Sequence, residues 1–174
     1  MQQTITISVI TITYNAATVL QRTLDSVAHQ TYQHIEHLII DGASKDDTLA
    51  IAHRYAEGKN YPVVIQSEPD KGIYDAMNKG MAKATGDYLV FLNAGDVFHA
   101  DDTLQTVCQT IALQTAGNTS APLPAVVYGD TAIVDEQGHF LRLRRLRPPH
   151  QLSWRSFRWG MLVCHQSFYA RTDV

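Results

Sequence analysis

The chain has 174 residues, 45% of them hydrophobic and 18% charged. That is enough for one soluble domain with a real core and too little for two. A formal charge of −3 gives no reason to expect nucleic acid as a partner, and no apolar run approaches the length that crosses a bilayer. Cys108 and Cys164 form no metal-spacing motif. With no apolar leader before them, they read as free thiols in a reducing cytoplasm.

The opening "TITISVITITYN" is β-branched and reads as a buried strand ending near Tyr14. Leu20, Leu24, Val27 and Ala28 then fall at helical spacing, predicting a helix over 17–30. "EHLIIDG" is a second strand stopped by Gly42, and Ser44 or Asp46 can cap the following helix, which ends at Gly58. "YPVVIQSE" is a third strand, and "IYDAMNKGMAKATG" a third helix with Gly86 as a plausible C-cap. "YLVFL" is the fourth strand, followed by a helix over 101–114. After the polar loop "QTAGNTSAPLP" the helical rhythm fades, leaving strands in "AVVYGD" and "GHFLRLRRLR".

Four alternations of strand and helix predict an α/β fold, a mainly parallel sheet with helices on both faces. Ligands of such sheets bind beyond the carboxyl ends of the strands. The polar clusters Tyr14-Asn15, Asp41-Gly42, Glu68-Pro69-Asp70 and Asn93-Ala94-Gly95-Asp96 sit at those ends. Glycine-rich phosphate loops and a G-x-S-x-G elbow are missing. A rim of carboxylates and amides with few cations suits a diphosphate when a divalent cation lies between them.

"SVITITYN", "IIDGASKDDT", "SEPDKGIYDAMNKGMAKATGDYLVFLNAGD" and "CHQSFY" resemble the family 2 glycosyltransferases, most closely the branch making bacterial exopolysaccharides such as colanic acid. The resemblance implies a GT-A fold, a nucleotide-sugar donor (often a UDP-sugar), magnesium or manganese, and inversion at the anomeric carbon. It implies a saccharide or lipid-linked acceptor. The free thiols read as cytoplasmic, and the alternatives are a freely soluble protein and one in peripheral contact with the inner face of the membrane. Tyr14 would lie on the base, with Thr13 beside it contacting donor and Asn15 shaping the loop. Asp41 would accept the uracil imide hydrogen, and Asp70, Asp75 and Asn78 would contact donor. Asn93 would orient ribose or a metal-bound water, while Asp96 and His165 would hold the metal. Many relatives read Asp-Asp-Gly-Ser where this chain has Asp41-Gly42-Ala43-Ser44, and Asp-x-Asp-Asp where it has Asn93-Ala94-Gly95-Asp96.

The motif order places the general base beyond residue 174, so none is assigned; Asp173, Asp130 and His165 are the alternatives within the chain. Residues 1–174 thus read as one donor-binding domain. It has a nucleotide-binding half, 1–116, and an incomplete acceptor-side half, 117–174, whose "FYARTDV" end would expose apolar surface and favour self-association. A non-catalytic nucleotide-binding module and a sugar nucleotidyltransferase are the other readings. "FLRLRRLR" and "WRSFRW" form a basic, aromatic-rich region, read either as an exposed strand and loop or as a patch facing anionic lipid.

Overall fold

A computed structural model describes residues 4–115 and 122–174, so part of the polar loop, with the boundary between the two expected halves, lies outside the described residues. β1 (Ile7–Thr13) and β2 (Ile35–Asp41) are buried along their whole length. β3 (Val63–Ser67), β4 (Tyr88–Phe91), β5 (Val126–Tyr128) and β8 (Phe168–Arg171) complete a six-stranded sheet in the order β3-β2-β1-β4-β8-β5. β1 pairs in parallel with both β2 and β4, and β2 with β3. The chain order reverses across β1 and β4, which makes a topological switch point at their carboxyl ends.

Side-chain alternation along the strands assigns the helices to the two faces. Ile7, Val9, Tyr88 and Val90 point toward α1 (Ala17–Ala28) and α4 (Thr103–Thr115), while Ile39 packs with α1 and α2 (Thr48–Ala56). Ile10, Ile12, Leu38, Ile40 and Leu89 point the other way, onto α3 (Ile73–Met81).

Three sequence expectations change. Gly86 is not the cap of α3, whose C-cap is Ala82. Instead Gly86 lies against β1, where an added Cβ would sit 2.8 Å from the Thr6 carbonyl oxygen and 2.7 Å from Ser8 Oγ. The buried Glu36 carboxylate fixes this approach by accepting from Ser8 Oγ, the Thr85 and Gly86 amides and Thr85 Oγ1. Second, Ser44 does not cap α2: its hydroxyl is bound to Asp41, and Asp46 takes the Thr48 amide and hydroxyl.

Third, "FYAR" is no bare edge. It is β8, running antiparallel between β4 and β5 with Tyr169 buried. Pairing decides this: the strand supplies backbone groups to both neighbours, and Tyr169 joins the core beneath α4. β6 (Ala132–Val134) and β7 (Phe140–Leu143) pair only with each other, as a separate ribbon. No helix among the described residues is long and apolar enough to cross a membrane.

Candidate functional site

Two adjacent carbonyls of β1 hold both halves of the rim. Thr13 O accepts from the Gly42 amide at 2.9 Å, and Ile12 O accepts from the Ala94 amide at 3.0 Å. The loop after β2 and the turn after β4 therefore hang from neighbouring residues, beside the switch point.

The first half is a tightly stitched platform. Asn15 and Ala43 adopt left-handed backbone, φ 47° and 62°, costly for Ala43 and so imposed by its surroundings. The Asn15 amide donates to Ser44 Oγ at 2.8 Å, and Asn15 Oδ1 accepts from the Lys45 amide at 2.9 Å. Ser44 passes the chain of bonds to Asp41, which also accepts from the Ser44 amide (2.9 Å) and Ser67 Oγ (2.6 Å). Asp41 is only 1% exposed, so three donors hold its carboxylate inside the platform.

Above it, Tyr14 is 62% exposed, a free aromatic face suited to stacking. Gly42 makes the surface flat: a Cβ there would come within 2.6 Å of Asp70 Oδ2 and 3.2 Å of Tyr14 Cδ2. Asp70 also accepts from the Gly72 amide at 2.8 Å, which sets the entry to α3. Asp75 accepts from the Lys71 amide and pairs with Lys79 at 3.3 Å. The amide bond first, then Lys79, holds its carboxyl below the ordinary range. Asn78 is exposed on α3.

The second half is built at the end of β4. Asn93 Nδ2 donates to His165 Nε2 at 3.0 Å, and Gln166 Nε2 donates to Asp96 Oδ2 at 2.8 Å. His165 opens a 3₁₀ turn, His165–Ser167, that leads into β8; this brings its Nε2 to 3.9 Å from Asp96 Oδ2. Burial, with help from the Arg144 charge and against that of Asp96, depresses the His165 pKa. The ring is therefore neutral at pH 7, and accepting from Asn93 makes Nε2 its lone-pair nitrogen. Arg22 of α1 approaches the same turn beside Gly95, a cation the sequence reading of the rim did not include.

These residues fit a divalent cation. An aspartate oxygen and a neutral imidazole nitrogen converge, and a third acceptor, Asn93 Oδ1, is buried with no partner. No group of three or more His, Cys, Asp or Glu converges among the described residues, so the acceptors here are one carboxylate, one imidazole and one amide oxygen. Thr13 Oγ1, at the end of β1, is likewise buried and unpaired.

Sequence reasoning missed Ser44, Ser67, Gln166 and Arg22. Only "CHQ" carried a signal for one of them, since Gln166 follows His165. Of the alternative bases, Asp130 is held bidentately by Arg147. Asp173 follows Arg171, which pairs with Tyr88 at the start of β4. That places Asp173 at the opposite end of the sheet from Asp96.

A mainly parallel sheet carrying this rim at its switch point defines the GT-A class of fold. The family model for "Glycosyl transferase family 2" matches residues 8–173, and the chain belongs to that family. A PGL/p-HBAD biosynthesis glycosyltransferase of Mycobacterium bovis BCG is 33% identical over 178 aligned positions, covering 96% of this chain and 59% of the relative. The chain thus spans about three fifths of that relative's length. A mannosyltransferase of Pyrobaculum calidifontis, solved with GDP-Man and Mn2+, superposes with a TM-score of 0.60 at 27% identity, over 71% of this chain and 34% of that one. S. aureus TarS 1-349 with UDP-GlcNAc gives 0.61 at 20% identity, over 95% and 45%, a likeness of fold.

Proposed function

We propose that this chain binds a nucleotide-sugar, a UDP-sugar in particular, and serves inverting transfer of the sugar to a polysaccharide or lipid-linked saccharide. The observation that carries the reading is the meeting of Asn93, Asp96 and His165 beside the Tyr14–Gly42 platform, at one switch point. Tyr14 stacks on the base, Asp41 holds the platform, and Asp70 borders it. The relatives solved with GDP-Man and with UDP-GlcNAc support a nucleotide-sugar donor.

In an inverting transfer the acceptor hydroxyl forms the new bond to the anomeric carbon as the nucleoside diphosphate leaves, and the hydroxyl proton passes to a base. Asp96 and His165 would hold a magnesium or manganese ion, which when bound supplies counter-charge to the diphosphate. Gln166 orients Asp96, Arg22 adds a fixed positive charge beside the turn, and Asn93, whose Nδ2 occupies the His165 Nε2 lone pair, would release that nitrogen when an ion takes it. The base is not assigned.

The test is thermal unfolding with UDP or GDP, each with manganese or with EDTA. At a hundredfold excess over the dissociation constant, UDP with manganese should stabilise by about 2.7 kcal/mol. Asp96→Asn should remove the manganese-dependent part and leave the apo protein folded. Equal shifts with manganese and EDTA would refute the metal, and equal shifts by UDP and GDP would refute the base preference.

A further inference from the structure

The charge of the chain is unevenly placed. Seven of its fourteen basic residues and none of its seventeen acidic ones lie between 137 and 172. With Asp135 and Glu136 of the ribbon's own turn and Asp173 included, residues 132–174 carry +4 and the rest of the chain −7. Within it, all four residues of β7 are exposed, Phe140 by 61% and Leu141 by 59%. The ribbon register sets Ala132 opposite Leu143 and Val134 opposite Phe140, so one face is wholly apolar. Arg142, paired with Ile133 on the reverse face, and Arg145, just beyond the strand, are exposed, and Leu146 continues the exposed apolar residues after β7. The side chains of Trp154 and Trp159 lie outside the described residues.

We propose that this ribbon is a docking surface for an anionic lipid bilayer. An apolar face flanked by arginines matches the bilayer boundary, where rings and aliphatic chains enter the acyl region and guanidinium groups meet phosphates. A soluble polyanion would use the arginines and leave the apolar face in water. The acidic remainder of the chain and the Asp135–Glu136 turn of the ribbon are repelled by the same surface, which turns both away from the headgroups and so orients the molecule. Arg144 donates to the carbonyls of Leu146, Met161 and Leu162, tying the ribbon to the segment that leads into His165. Docking therefore brings the candidate site near the bilayer. The surface deepens the proposed function, resting on it only for the meaning of that nearness.

The experiment is co-sedimentation of this chain with vesicles of phosphatidylcholine alone or with 30% phosphatidylglycerol. Binding to the anionic vesicles only, weakened by 0.5 M salt, is expected. Arg142→Gln with Arg145→Gln should weaken it about 30-fold, at roughly fivefold per basic residue. Phe140→Ser with Leu141→Ser should weaken it by at least about tenfold through lost apolar burial. Both variants should keep the wild-type melting temperature and UDP response, which certifies their fold and tests the donor reading separately. The proposal is overturned by equal binding to both vesicles, by no binding to either, or by double variants that bind undiminished. It is also overturned by a wild-type dimer that the Phe140/Leu141 variant dissolves without any vesicle binding, since a second copy would then cover the ribbon.

Discussion

Asn93 and His165 stand 72 residues apart in sequence and are joined by a 3.0 Å hydrogen bond. One ends the strand that delivers the acidic turn; the other opens the turn into an antiparallel strand inserted beside it. The pair makes the site a product of the sheet's mixed direction. A parallel neighbour to β4 would enter the sheet from its other end and bring no residue here at its start.

Gln166→Leu separates positioning from ligation. Gln166 bridges Cys164 Sγ and Asp96 Oδ2, so it orients a candidate ligand without being one. Loss of such an outer partner typically weakens metal affinity about 10–100-fold. We expect that loss in a manganese titration of the UDP-bound protein, with UDP still preferred over GDP. Unchanged manganese affinity would show that Asp96 needs no such support.

Asp41→Asn should cost stability before it alters base choice. The carboxylate accepts from two hydroxyls and one amide, and an amide in its place offers one oxygen and sets an NH2 against a donor. Hydrogen bonds to a charged group are worth about 1.5–3 kcal/mol each. A denaturation midpoint lowered in proportion is expected, with Ser67→Ala showing a smaller effect of the same sign. A variant as stable as wild type would mean the three bonds contribute little.

How far the sequence revealed this site depends on the range of the contacts. β1, β2 and β4 are dense in β-branched and apolar residues, so their burial and the polar groups at their ends were legible. "FYAR" has four residues and no useful alternation; its place between β4 and β5 is decided by partners far away in sequence. The Gln166–Asp96 bond spans 70 residues and the Ser67–Asp41 bond 26, beyond any local pattern. Gly86 was misread for the same reason: a glycine shortly after a helix looks like a cap, and only the approach of Thr6 and Ser8 reveals its role.

His37 should make the protein acid-sensitive well above the carboxylate range. It is fully buried between Thr11 Oγ1 (2.9 Å) and the Tyr55 hydroxyl (2.8 Å). Burial, with a smaller contribution from Lys59, lowers its pKa from 6.5 to about 3. Between those values the unfolded chain binds a proton that the native chain refuses. Stability therefore falls as pH falls through that window, by up to about 1.4 kcal/mol per pH unit from this group. Above it both states are neutral and the term vanishes. Urea unfolding at pH 7, 6 and 5 should show this slope in the wild type and lose it in His37→Gln. Identical slopes would assign the acid sensitivity to other groups.

Gly80→Ala sets helix propensity against packing. In a helix interior alanine would gain about 1 kcal/mol over glycine, and at the penultimate position of α3 the gain is at most that. Here the new Cβ would lie 2.5 Å from Ile10 Cγ2 and 3.4 Å from Ile40 Cγ1. Ile10 is completely buried and β-branched, hence stiff at χ1, so it cannot swing aside. Relief requires α3 to lift from β1 and β2, and overpacking of this kind typically costs about 1–3 kcal/mol. The cost exceeds the propensity gain over most of that range, so a lower melting temperature is expected. Because α3 begins directly after the Asp70–Gly72 turn, the displacement should also weaken UDP binding. Met81→Ala, an exposed position on the same helix, serves as the control and should leave both measurements nearly unchanged. A Gly80→Ala protein more stable than wild type would show that the α3 interface yields, and that propensity outweighs the close approach to Ile10.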